Sequence, residues 1–279
     1  VTKHLTKPTP PIAPVVPLPS ILTTARPLPG DIDWSSGISF RPRRIAGDAD
    51  SITIDDITGE EDCPTPSELD AEPLPDEEHF VPQLARVPWQ CEQVFPGQED
   101  RFRAEARDEL EAATAYHLSA ALGADLAAHD SDVSADGAIH PLTALSILLA
   151  NYASCTQSGG GAIVHVPAVL IPTLLASGAV KQSGDVYLGP LGSVVSPGPG
   201  YSWANEDDVV LGTMYVSGPV EYALGAIVVR PEGNAAMYDR RANLFRVEAQ
   251  RAFIFRYDRQ CVFSASAFLP SPASGEGAL

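Results

Sequence analysis

SGGGAIVHVPAVLIPTLLASGAV, residues 158–180, decides how the chain is read. Glycines enter a short apolar run, AIVHVP, and a helical segment follows the proline. Glycine, strand and helix together suggest a phosphate cradle, but their order is wrong. A Walker loop needs Lys followed by Ser or Thr after its last glycine, at a helix start. Here Gly161 leads into a strand, and the only nearby lysine, Lys181, comes twenty positions later. A dinucleotide fingerprint places its glycines between strand and helix, whereas these precede the strand. The glycines therefore read as a flexible entry to a core strand that Pro167 ends.

Downstream, β-forming segments dominate. VYLGPLGSVVSPG reads as strand, Gly-Pro turn and strand, and VVLGTMYVSGPVEYALGAIVVRPEG continues the pattern. NLFRVEAQRAFIFRYDRQCVFSASAFL supplies two or three more strands. Upstream, the spacing predicts a helix over 99–122, with Phe102, Ala106, Leu110, Ala113, His117 and Ala121 on one face. Glu99 and Asp100 complement the dipole at its start, and Gly123 is expected to stop or kink it. A second, buried helix begins at Pro141, a residue suited to a first turn. The fold class is α+β.

The N-terminal third differs. Residues 1–33 carry prolines at 8, 10, 11, 14, 17, 19, 27 and 29, so an extended backbone is expected. Ile12, Val15, Val16, Leu18, Ile21 and Leu22 read as anchors for an arm lying on another surface; a plain tail is the alternative. WSSGISFRPRRI and SITIDDI, joined by AGDAD, read as a long hairpin beginning at Trp34. Residues 55–78 hold eleven acids, and no Lys or Arg occurs between Arg44 and Arg86. Such a run reads as a solvated loop.

The net charge of −18 argues against a sequence-independent nucleic-acid binder, which needs a basic footprint. It is compatible with a wall that encloses nucleic acid without adhering to it. Cys63, Cys91, Cys155 and Cys261 show no metal-ligand spacing, and free thiols in a reducing cytoplasm are expected, with disulfides the other reading. No apolar run reaches the roughly 20 residues of a membrane-spanning helix. In DSDVSADG, Asp132, Ser134 and Asp136 mimic half a calcium loop, but Thr143 stands where a bidentate Glu is required. A polar turn capping the second helix is preferred, and no metal or cofactor is expected. His165 is expected to be packed or bonded to a backbone carbonyl. No HExxH or GxSxG motif occurs, and the Asp207-Asp208 pair reads as a turn, so no catalytic residue is expected.

The order of elements resembles the major capsid proteins of tailed bacteriophages, the Hong Kong 97-like fold shared with encapsulin shells. The resemblance rests on AIVHVP and the helix after it (Ala162 to Ser177), and on the final RQCVFSASAF segment (Arg259 to Phe268). It covers most of residues 34–269. It implies an N-terminal arm (1–33), an extended hairpin loop (34–62), an acidic Pro-rich insertion (63–98) and a peripheral domain with a spine helix (99–137). An axial domain (138–200), strands returning through both domains (201–269) and a C-terminal tail (270–279) complete the division. The implied function is a major capsid subunit. It forms pentamers and hexamers of an icosahedral head around double-stranded DNA, assembled in the host cytoplasm, with no membrane partner. Scaffolding, portal or decoration proteins are the implied partners.

Alternatives are an encapsulin-type compartment shell, a minor head or head–tail joining protein, and an unrelated hydrolase. Expected inter-subunit contacts are Ile12, Val15, Leu18, Ile21, Trp34, Arg41, Arg43 and Arg44. The three arginines would meet Glu105, Asp108, Glu109 or Glu111 of the next subunit, or else hold the acidic segment of their own chain. Residues 34–62 contain no lysine, so the covalent subunit crosslink found in some family members is not expected.

Overall fold

A computed structural model describes residues 20–29, 32, 34, 38–40, 78–92, 99–134, 137–156, 161–206, 209–231, 238–239 and 244–270. The first elements are α1 (Ile21–Thr24), β1 (Arg26–Pro27), β2 (Ile38–Phe40), β3 (Glu78–Phe80), β4 (Gln83–Glu92) and α2 (Glu99–His129). Then come β5 (Ser131–Asp132), α3 (Pro141–Thr156), β6 (Ile163–Pro167), α4 (Ile171–Ala176), β7 (Lys181–Ser183), β8 (Val186–Leu188) and β9 (Val194–Gly198). The chain continues through β10 (Trp203–Glu206), β11 (Val209–Ser217), β12 (Glu221–Leu224), β13 (Val228–Arg230), β14 (Tyr238–Asp239), β15 (Leu244–Arg256) and β16 (Phe263–Pro270).

These elements build two cores. The first lies between α2 and a six-stranded sheet of order β1-β12-β15-β13, to which β14 and β4 add by pairing with β15. Along β15, Val247, Ala249, Phe253 and Phe255 are buried at every second position, beside Ala85 and Val87 of β4. That period of two turns one face to the helix. Arg251 occupies the same face and is answered from α2: it donates to Thr114 Oγ1 at 3.1 Å and pairs with Glu111 at 2.8 Å. The strand β4 falls inside the stretch 63–98 expected to be an acidic insertion.

The second core lies between α3 and an eight-stranded sheet of order β5-β16-β11-β6-β9-β8-β7, with β10 paired to β11. All five residues of β6 are buried. Val164 and Val166 face the second core while Ile163 belongs to the first, so both faces are covered and the strand reads as a continuous apolar run. Pro167 ends it, as expected, and a 3-10 turn leads into α4.

Several expectations need correction. Gly123 does not stop α2, which runs on to His129. The buried face follows Phe102, Ala106 and Leu110 as expected, then continues through Thr114, Leu118, Leu122 and Leu126, with Ala113 and Ala121 partly buried against the same core. The arm is not extended throughout: Ser20 caps α1, accepting from Leu22 N while Ser20 N donates to Thr23 Oγ1. No proline lies between Pro19 and Pro27, and that window lets one helical turn form. β2 pairs antiparallel with β3, Ile38 opposite Phe80 and Phe40 opposite Glu78. Phe40 and Glu78 thus lie side by side; the expected hairpin partner SITIDDI lies outside the described residues.

The cysteine expectation is overturned for one pair. Cys155, at the end of α3, is bonded to Cys261, just before β16, with Cα atoms 5.9 Å apart. Packing α3 against β16 brings residues 106 positions apart into disulfide range.

Candidate functional site

Two places gather hydrogen-bonded polar side chains, the first fully buried and the second part-buried. At the first, the turn after β9 drives Tyr201 against the middle of α2. A Cβ on Gly123 would stand 3.0 Å from the Tyr201 ring, which is why glycine continues this helix. Gly200 N donates to Ser119 Oγ at 3.0 Å. The Tyr201 hydroxyl lies 2.8 Å from His165 Nδ1, and His165 Nε2 lies 2.9 Å from Ser217 Oγ.

Because the Ser217 hydroxyl donates to the Gly218 carbonyl, Ser217 receives the Nε2 proton. Nδ1 then accepts from Tyr201. Thr24 of α1 donates to Ser196 Oγ at 2.9 Å, tying the first helix to the same knot. His165 is thus packed as expected, though its partners are hydroxyls rather than a carbonyl. Burial holds it down to about 3, so it stays neutral, and burial pushes the Tyr201 phenol up.

A neutral imidazole with both nitrogens engaged is built to position, not to shuttle protons. The linkage sign follows: the unfolded imidazole takes up its proton near pH 6.5, and the folded one resists until about 3. The stability contributed by His165 is present above pH 6.5 and is lost as pH falls through that window. A series of thermal melts between pH 7 and pH 4 should show this decline.

The second place is the crossover from β15 to β16. Arg259 makes a two-pronged contact with Asp125 of α2, Nη2 to Oδ1 at 2.7 Å and Nε to Oδ2 at 3.2 Å, and Tyr257 donates to the same carboxylate at 2.6 Å. The guanidinium sits 4.0 Å from the centroid of the Phe80 ring. Glu78 begins β3 beside this group. Its Oε2 is buried without a partner, and burial raises its carboxyl above the usual range, with Arg259 opposing and Asp258 reinforcing the shift.

For an acid with a raised folded value, the folded state favours the proton, so Glu78 lowers stability as pH rises past the unfolded value. Glu78→Gln is expected to raise the melting temperature at pH 7 and to give no gain at pH 3. Equal effects at both pH values would contradict this.

The expected contact residues divide. Ile12, Val15, Leu18, Arg41, Arg43 and Arg44 lie outside the described residues. Ile21 is only 1 % exposed and belongs to the first core of its own chain. Trp34 is half-buried and packs on that core from outside. Of the four acids offered to the arginines, Glu105 pairs with Arg101 and Glu111 with Arg251 of the same chain, while Asp108 and Glu109 are exposed. Asp132 accepts from Ser134, an Asx turn; His140, not this turn, accepts from Leu142 N at the start of α3. No group of three or more metal-ligating side chains forms among the described residues, and no helix there is long and apolar enough to cross a membrane. Sequence reading missed Tyr201, Ser217, Asp125 and Arg259; the run PGPGYS, with glycines on both sides of Pro199, was the one available signal.

No protein-family model matches the sequence, and no curated protein does. Solved structures do match. A chain of Gordonia phage Cozz aligns over 90 % of this chain and 86 % of its own length, at 11 % identity and a TM-score of 0.52. The chain has the Hong Kong 97-like capsid fold. Also similar are the capsid of an empty GTA particle (92 % and 99 % covered, 10 % identity, TM-score 0.46) and the holo-SrpI encapsulin complex of Synechococcus elongatus (74 % and 79 %, 14 %, 0.45).

Proposed function

We propose that this chain is the major capsid subunit of a tailed bacteriophage, assembling into an icosahedral head around double-stranded DNA. The observation that carries the reading is the shared topology with the phage Cozz chain across nine-tenths of this sequence. On this reading α2 is the spine of the peripheral domain, the first core, and the second core is the axial domain. Residues 34–62 are the extended hairpin loop and residues 63–98 the acidic Pro-rich insertion on the same reading. The strong negative charge suits an inner wall, because repulsion keeps a packaged polyanion mobile. Closure comes from many modest homomeric interfaces, each weak alone and multiplied by symmetry. Portal, scaffolding and decoration proteins are the accompanying partners, and the virion is the location.

Electron microscopy of the purified protein tests the reading, with nuclease treatment before the shell contents are extracted. Closed shells, and protected double-stranded DNA inside particles taken from lysate, are expected. Shells that hold a protein cargo instead would favour a compartment, rings of about a dozen subunits a joining protein, and a persistent monomer would overturn assembly altogether.

A further inference from the structure

The two sulfurs of the Cys155–Cys261 bond are unequally exposed. Cys155, in the last turn of α3, is partly buried and packs against the second core. Cys261 belongs to that core and is 5 % exposed. A reagent arriving from solvent therefore meets the Cys155 sulfur first.

Each cysteine is also positioned by contacts that do not involve sulfur. On α3, Leu145, Leu148, Leu149 and Tyr152 are buried, and Cys155 follows Tyr152 at helical spacing on the same face. On the crossover, Tyr257 and Arg259 hold Asp125. Gln260 N donates to Asp258 Oδ1 at 3.0 Å in the turn that carries Cys261. One residue on, the Val262 carbonyl accepts from Ser131 N at 3.1 Å. Packing thus sets the two side chains within bonding range of each other, and the bond can open and close on a folded chain.

We propose that the pair is a thiol–disulfide exchange site, in which Cys155 reacts with a small disulfide of the glutathione class and Cys261 resolves the adduct. The Cys155 thiolate attacks one sulfur of oxidised glutathione, forming a mixed disulfide and expelling one glutathione, which takes up a proton. The Cys261 thiolate then attacks Cys155 Sγ, forming the Cys155–Cys261 bond and expelling the second glutathione. Two protein thiols are oxidised, and one glutathione disulfide is reduced to two thiols. Reduction runs through the same steps in reverse, again entering at Cys155. Closed, the bond fastens α3 to a crossover whose other side chains grip α2, so oxidation couples the main helices of the two cores. A reducing compartment opens this clamp and an oxidising one closes it. The site goes beyond the shell reading and holds whether or not the chain forms a shell.

The test uses the full-length chain, reduced, freed of reductant and mixed with oxidised glutathione. Samples are quenched with iodoacetamide and digested with trypsin; Arg86, Arg107 and Arg259 separate Cys63, Cys91, Cys155 and Cys261 onto different peptides. The wild type should end with the Cys155 and Cys261 peptides joined. Cys261→Ala removes the resolving thiol, so glutathione should accumulate on Cys155. Cys155→Ala should leave at least about tenfold less glutathione on Cys261, because access governs the exchange rate. The reduced wild type gives the same comparison without a substitution: iodoacetamide should label Cys155 at least about tenfold faster than Cys261, and in urea the two rates should converge. Equal or faster labelling of Cys261 in the folded chain, or no joined pair after oxidation, would overturn the assignment.

Discussion

Gly200→Ala is expected to lower stability by about 3 kcal/mol, the upper range for forcing a methyl group into a filled site. A Cβ there would lie 2.4 Å from the Tyr116 carbonyl oxygen and 2.6 Å from Ala120 N. Both atoms are backbone of α2, so no side chain can swing aside. Relief requires the turn to lift from the helix, which breaks the Gly200 N to Ser119 bond and withdraws Tyr201 from His165. For a chain of this size the melting temperature should fall by roughly 6–12 °C. Gly218→Ala is the control, because its nearest atoms, Tyr152 Oη at 3.5 Å and Asp258 Cβ at 4.0 Å, are at ordinary contact distance. Equal shifts for the two variants would sink the close-approach account.

Reduction of the Cys155–Cys261 disulfide is the second large effect. The bond closes a loop of 106 positions, for which chain entropy gives on the order of 4–5 kcal/mol. It ties α3 to the crossover that carries Arg259, the partner of Asp125 in α2. A fall of on the order of 10 °C in melting temperature is expected on adding a phosphine reductant. A digest without reductant should keep the peptides holding Cys155 and Cys261 joined. An unchanged melting curve together with separate peptides would show that the sulfurs are not bonded.

What could be read in advance follows from how far each signal reaches along the chain. α2 and α3 are written in local periodicity, and β6 in five consecutive positions closed by a proline. The rejection of phosphate binding at Gly161 needed only the order of neighbouring residues. The burial of Ile21 in its own chain's core was not legible, because an aliphatic in a proline-rich arm looks the same whether it packs at home or abroad. Ser20 and Thr23 were the local clue, a capping box hidden between two prolines. The pairing of β2 with β3 was out of reach, because it joins residues on either side of an acidic stretch that reads as a loop.

The sequence by itself determined the α+β class, the long and short helices, the buried strand and the strong negative charge, because each is a property of adjacent residues. Only the tertiary structure decided that Gly123 lies inside a helix, that Cys155 meets Cys261, and that His165, Tyr201 and Ser217 share one buried network. Those outcomes depend on which surfaces press together, and close packing is a relation between distant segments that no local pattern encodes.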